Sequence, residues 1–204
     1  MTVRLHRGDL PNLDAYKGSV AIDTETLGLN PHRDRLCVVQ LSPGDGTADV
    51  VQIAPGQTTA PNLVRLLIDP TVVKIFHFAR FDVAVLAKTF GVTVAPVYCT
   101  KIASRLTRTY TDRHGLKDLV KELLDVDLSK QQQSSDWAAE TLTDAQLSYA
   151  ASDVLHLHAL KSRLDERLAR EGRIGLADSC FRFLPTRAAL DLAGWAEEDI
   201  FAHS

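Results

Sequence analysis

At 204 residues, with 45% hydrophobic and 24% charged side chains, the chain carries enough apolar material for one full-sized core and is too apolar to be disordered. Its net charge of −3 lacks the basic excess of a protein that wraps long nucleic acid, and leaves room for a small anionic substrate held locally. The N-terminal stretch has no apolar core of a signal peptide, and no run is long enough to span a bilayer, so a cytoplasmic location with no membrane contact is expected.

Residues 1–18 read as a short edge strand and a turn-rich approach punctuated by Gly8, Pro11 and Gly18. A first full strand is expected over 19–25, then a loop from Gly28 to Asp34, a strand over Leu36–Leu41, a Pro43–Gly46 hairpin and a strand over Asp49–Ile53. Short connections between these strands predict an antiparallel meander. Asn62–Ile68 then reads as a helix stopped by Asp69-Pro70, Val72–Phe76 as a strand, Ala79–Phe90 as a helix closed by Gly91, and Val94–Cys99 as a further strand.

From Thr100 the pattern turns helical, with helices expected at 100–108, 115–124 and, as one long element, Thr143–Arg170. Thr143-Asp144-Ala145-Gln146 is a capping box; Leu147, Ala150, Val154, Leu157, Leu160, Leu164 and Leu168 keep a helical period; Gly172 is the stop. Residues 173–204 are too apolar for a free tail and are expected to pack on the core or to form a subunit contact, within one domain over 1–204. Cys37, Cys99 and Cys180 are far apart in apolar surroundings and read as reduced core residues.

The chemistry-bearing stretch is Ile22-Asp23-Thr24-Glu25-Thr26. Strand alternation puts Asp23 and Glu25 on one face, where like charges repel unless a cation sits between them. In the helix over 79–90, Asp82 falls on the apolar stripe with Phe78, Val85 and Leu86. In the long helix Tyr149 and Asp153 are neighbours at i,i+4. Each signal alone has a bland reading as a solvated strand end, a helix-dipole carboxylate or an exposed Asp. Together the four carboxylates suit two Mg²⁺ or Mn²⁺ ions roughly 4 Å apart, the arrangement that serves in-line phosphodiester hydrolysis.

At this point the chain resembles the DEDD 3′-5′ exonucleases of the Tyr-containing subgroup, in their RNase D-like group. Asp23-Thr24-Glu25-Thr26 is similar to the first exonuclease motif, His77-Phe78-Ala79-Arg80-Phe81-Asp82 to the second and Tyr149-Ala150-Ala151-Ser152-Asp153 to the third. Lys130-Gln131-Gln132-Gln133-Ser134-Ser135-Asp136-Trp137 is similar to a segment lying between the last two. The resemblance implies an α/β fold with an RNase H-like mixed sheet flanked by helices and a helical C-terminal half. It implies that Asp23, Glu25, Asp82 and Asp153 bind two Mg²⁺ or Mn²⁺ ions and that Tyr149 positions the attacking water.

Phe78 stands where RNase D itself usually has Asn, and the short form with His-Phe-Ala-Arg-Phe-Asp looks most like the nanoRNase C branch. That branch implies digestion of short oligoribonucleotides, dinucleotides above all, and assembly as a homo-oligomer, an octamer. The rival expectations are trimming of longer RNA or DNA ends and a catalytically silent nucleic-acid-binding scaffold. Substrate contacts are expected from Thr26, Leu27, His77, Phe78, Arg80, Arg108, His114, Gln133 and Ser135, with Tyr110, Arg113 and Lys117 completing a basic and aromatic cluster.

Overall fold

A computed structural model of the chain describes residues 2–129 and 131–203. Its strands are β1 (Thr2–Arg7), β2 (Ser19–Thr26), β3 (Leu36–Ser42), β4 (Thr47–Gln52), β5 (Val73–Phe76) and β6 (Val97–Cys99). Its helices are α1 (Pro61–Ile68), α2 (Ala79–Phe90), α3 (Thr100–Thr107), α4 (Leu116–Leu124), α5 (Asp144–Leu155), α6 (Leu157–Arg170) and α7 (Ile174–Leu192).

The strands make one mixed sheet in the order β1-β4-β3-β2-β5-β6. The expected meander is its antiparallel part, β2 against β3 against β4, while β1 joins β4, β5 joins β2 and β6 joins β5 in parallel. β3 is buried along its whole length, as a strand covered on both faces must be. The strand expected from Val94 starts at Val97 instead, because Pro96 has no N–H to give a ladder.

Where β2 sits decides where a site can form. β5 pairs only with Ser19, Val20 and Ala21, so the C-terminal half of β2 has a neighbour on the β3 side alone. A crevice at the carboxyl ends of parallel strands is where ligands bind in sheets of this kind.

Two polar clusters hold the margins of the sheet. Asp49 on β4 accepts from Arg4, His6 and Tyr16, tying β1 and the approach loop to the sheet, and these bonds hold its carboxyl at about 2 despite burial. Lys74 on β5 is fully buried, and its ammonium donates to the carbonyls of Asp69 and Val72 at 2.8 Å and of Ala95 at 2.5 Å. Three N–H donors therefore meet three acceptors, the condition on which a buried ammonium is tolerated.

The long helix expected over Thr143–Arg170 is two helices. It begins on the expected capping box, with Thr143 Oγ1 accepting from Gln146 N and Gln146 Oε1 from Thr143 N. It breaks at His156, whose φ of −99° and ψ of −7° interrupt the ladder. α5 packs on β1 to β4, whereas α6 packs on α3, α4 and β5, and the break lets one apolar stripe serve both sets of partners. The β3–β4 turn presses on this joint: a Cβ on Gly44, at φ +90°, would lie 2.9 Å from the His158 ring.

The expectation for residues 173–204 divides. α7 packs back on α2, β6, α3 and α6, and Ala177, Phe181, Leu184 and Ala188 belong to the same core as the sheet. Cys37 and Cys99 are buried as expected, but Cys180 is exposed, because it lies on the outer side of α7. Among the described residues no helix is long and apolar enough to cross a membrane.

Candidate active site

Alternation along β2 places Asp23 and Glu25 on one face, and α5 brings Asp153 over that face. Asp23, Glu25 and Asp153 each offer a carboxylate oxygen such that the three lie within 4.8 Å of one another. Asp82, in the first turn of α2 and only 3% exposed, is not in that group. It accepts from the hydroxyl of Thr24 at 2.6 Å and lines the same cleft as the other three acids.

Burial raises the proton affinity of all four acids, and for Asp23 and Glu25 the neighbouring charges add to it. Asp23 is pushed well above the usual carboxylate range, first by burial and then by the charges of Asp82, Asp153 and Glu25. Glu25 is pushed to about 8 by burial and by Asp153 and Asp82. Asp82 and Asp153 are each pushed to about 7 by burial, opposed by the hydroxyls of Thr24 and Tyr149 respectively. A set of hard oxygen donors whose charges cannot coexist unaided fits a divalent cation.

Tyr149 borders the cluster with its ring 6.0 Å from that of the buried Trp137. Burial, and then the charges of Asp153, Glu25 and Asp23, raise its phenol, so the hydroxyl keeps its proton at neutral pH.

The acids form the floor of a cleft of about 720 Å³. Thr26, Leu27, His77, Phe78, Gln133 and Ser135 line it. Leu27 and Leu29 are exposed on a loop that Asp34 staples, accepting from Asn30 N and Arg33. Gly28 is needed there, because a Cβ would lie 2.4 Å from Asp34 Oδ2. Burial pulls His77 down to about 3, and its Nδ1 is bonded to Thr100 Oγ1 at 2.9 Å, so it acts as a neutral hydrogen-bonding ring and not as a cation.

Phe78 caps α2 in the left-handed region, at φ 66° and ψ 44°, a conformation that a bulky side chain rarely adopts outside functional sites. Its half-exposed ring lies 4.4 Å beneath the ammonium of Lys101.

Three expected substrate residues lie elsewhere. Arg80 turns to α7, donating to Asp191 at 2.6 and 2.8 Å and to the Ala196 carbonyl. Arg108 is 1% exposed and spent on Glu122, Ser104 and the Arg113 carbonyl. His114 Nδ1 is engaged with Ser104 Oγ at 2.8 Å. None of the three lines the cleft, because each has an internal partner that a local reading does not reveal. Lys130 lies outside the described residues.

Sequence reasoning missed Lys101, which lines the cleft with Lys117. It follows β6 directly, and its place at the carboxyl end of a parallel strand was the available signal.

A family model described as "3′-5′ exonuclease" matches residues 9–169. The chain is 41% identical over 155 residues to a protein named "Ribonuclease D" from Gluconacetobacter diazotrophicus, covering 76% of this chain and 39% of that one. It therefore spans about two-fifths of the length of that curated relative. Solved structures of Brucella melitensis NrnC cover the whole of both chains: one with bound Mg²⁺ at 70% identity and TM-score 0.97, and one bound to pGG at 71% and 0.98. The crystal structure of Escherichia coli RNase D, described as an exoribonuclease involved in structured RNA processing, is 26% identical with TM-score 0.75, covering 84% of this chain and 45% of that one. The mixed sheet flanked by helices is thus the exonuclease fold that the sequence motifs implied.

Proposed function

The chain belongs to the 3′-5′ exonuclease family, and from that premise we propose that it is a divalent-metal-dependent exoribonuclease that degrades short oligoribonucleotides, dinucleotides especially, to 5′-mononucleotides. The observation that carries this reading is the group of Asp23, Glu25 and Asp153 oxygens within 4.8 Å, with Asp82 adding its charge in the same cleft. Mg²⁺ or Mn²⁺ held by these acids supplies Lewis acidity, acidifying a bound water and neutralising charge on the scissile phosphate.

The remaining work falls to the chain's own side chains. The Tyr149 hydroxyl, kept protonated by burial and by the charge of Asp153, gives its proton to Asp153 and accepts a hydrogen bond from the attacking water, which orients it. Lys101 and Lys117 face the phosphates from the cleft wall, Leu27 packs on the terminal base, and neutral His77, whose Nδ1–H is given to Thr100 Oγ1, offers the Nε2 lone pair to a sugar hydroxyl. The apolar side chains of Leu27, Leu29 and Phe78 on the cleft lining offer stacking surface for the bases of a short substrate.

The test is a time course on 5′-labelled RNAs of two, three, seven and twenty nucleotides with Mg²⁺. The dinucleotide is expected to disappear fastest. Efficient stepwise shortening of the twenty-mer would assign the chain to general RNA trimming, and no cleavage of any length would leave only binding.

We also infer that copies of the chain associate. Ile174, Leu176 and Phe201 are 50%, 61% and 75% exposed on and beyond α7, a concentration of apolar surface that supports an interface between copies. Light scattering after gel filtration is expected to give a mass several times 22.4 kDa, and a monomer at micromolar concentration would refute it. The free thiols Cys37, Cys99 and Cys180 support a reducing, cytoplasmic setting.

A further inference from the structure

β3 contains one amide among apolar neighbours: Leu36, Cys37, Val38, Val39 and Leu41 are all buried, and Gln40 between them is 0% exposed. In the antiparallel register Gln40 stands directly across from Asp23, so the two side chains share a face of the sheet. Gln40 Nε2 donates to Asp23 Oδ2 at 2.7 Å. The same amide favours the charged form of Glu25.

The other end of this amide is unsatisfied. Gln40 Oε1 is buried with no hydrogen-bond partner among the described residues. An orphaned buried acceptor is destabilising, and an apolar side chain of similar length would fill the same place without that cost. A stability argument therefore selects against glutamine here, and what the residue does for the acids has to account for it.

We propose that Gln40 is the positioning residue of the metal site, clamping one oxygen of Asp23 so that its remaining lone pairs are presented to the cation. This rests on the reading of the acid cluster as a cation site. The residue type matters for a physical reason. A carboxylate can accept up to about four hydrogen bonds or metal contacts, and one fixed donor removes a single lone pair while setting the plane of the group. A lysine or arginine in the same place would also orient Asp23, but its charge would neutralise the acid and repel the cation. A glutamate would offer no donor when ionised and would add to the repulsion. A neutral amide orients without competing. In metal sites generally, the groups that hold the ligands are worth about ten- to a hundredfold in affinity.

The experiment is Mn²⁺ titration by calorimetry on the full chain at pH 8.5, for wild type, Gln40→Met and Gln40→Asn, with melting temperatures taken in EDTA. Methionine keeps the length and removes the donor; asparagine keeps the amide and withdraws it by one methylene. Both are expected to weaken Mn²⁺ binding ten- to a hundredfold, while Gln40→Met keeps a cooperative metal-free melt, because the bond lost from Asp23 is offset by the removal of the orphaned carbonyl. A Kd within about threefold of wild type, in whichever variant keeps a cooperative melt, overturns the proposal. A lowered metal-free melting temperature with unchanged Mn²⁺ affinity would assign Gln40 to packing and overturn it equally. Wild-type protein that binds no Mn²⁺ would instead sink the cation reading itself, so the two failures are distinguishable.

Discussion

Asp153→Asn is expected to lose RNA turnover by at least a hundredfold while making the metal-free protein more stable at pH 8.5. The loss follows from the removal of one of the three oxygens that converge within 4.8 Å, a larger injury than removing a residue that merely holds a metal ligand. The gain follows from relief of the repulsion on Asp23 and Glu25: Asp153 is among the charges pushing up Asp23 and is the strongest charge acting on Glu25. Replacing it with a neutral group of the same shape relieves both. For a chain of this size each kcal/mol relieved moves the melting temperature by about 2–4 °C, so scanning calorimetry in EDTA resolves the effect. Asp23→Asn is expected to behave alike. Undiminished turnover in either variant would remove that acid from the site, and a metal-free melting temperature that falls would mean that the carboxylates do not repel.

Metal binding is expected to strengthen steeply with pH. Asp82 and Asp153 titrate at about 7 and Glu25 at about 8 in the folded chain, against roughly 4 for free carboxyls. For an acid raised in this way, the folded state binds more protons than the unfolded one between those values. Its contribution to the stability of the metal-free chain is complete below about 4 and is lost as pH climbs through 7 to 8. The cation competes with the same protons, so Mn²⁺ affinity should rise about tenfold per pH unit below 7 for each proton displaced, and level off above 8. Melting temperatures in EDTA should therefore fall between pH 6 and 8.5, and the increment restored by Mn²⁺ should grow over the same range. A pH-independent increment would show that the acids are ionised before the ion arrives.

What the sequence disclosed was governed by short-range periodicity. The common face of Asp23 and Glu25 follows from a period of two, the pairing of Tyr149 with Asp153 from i,i+4 spacing, and the start of α5 from a four-residue capping box. What it withheld depends on partners far away in the chain. Arg80 reads as a free cation beside a catalytic motif until Asp191 takes it, and Arg108 reads as a surface charge until Glu122 and Ser104 enclose it. The break at His156 has no proline or glycine to announce it, because different neighbours of α5 and α6 impose it. Alternation along β2 turns Thr24 away from Asp23, yet its hydrogen bond to Asp82 needs the docking of α2. Gln40 gave no signal at all, since one polar residue in an apolar strand acquires meaning only from the register that sets it opposite Asp23.

The acid cluster draws Asp23 and Glu25 from an early strand and Asp153 from a helix in the last third of the chain. Translation proceeds from the N-terminus, so a ribosome exposes two of these oxygens long before it releases the third. During most of its synthesis the polypeptide holds a half-built cation site beside messenger and ribosomal RNA. On the proposed reading, hydrolysis has to wait until α5 has emerged and docked, and a product truncated before Tyr149 would lack both the phenol and the third oxygen.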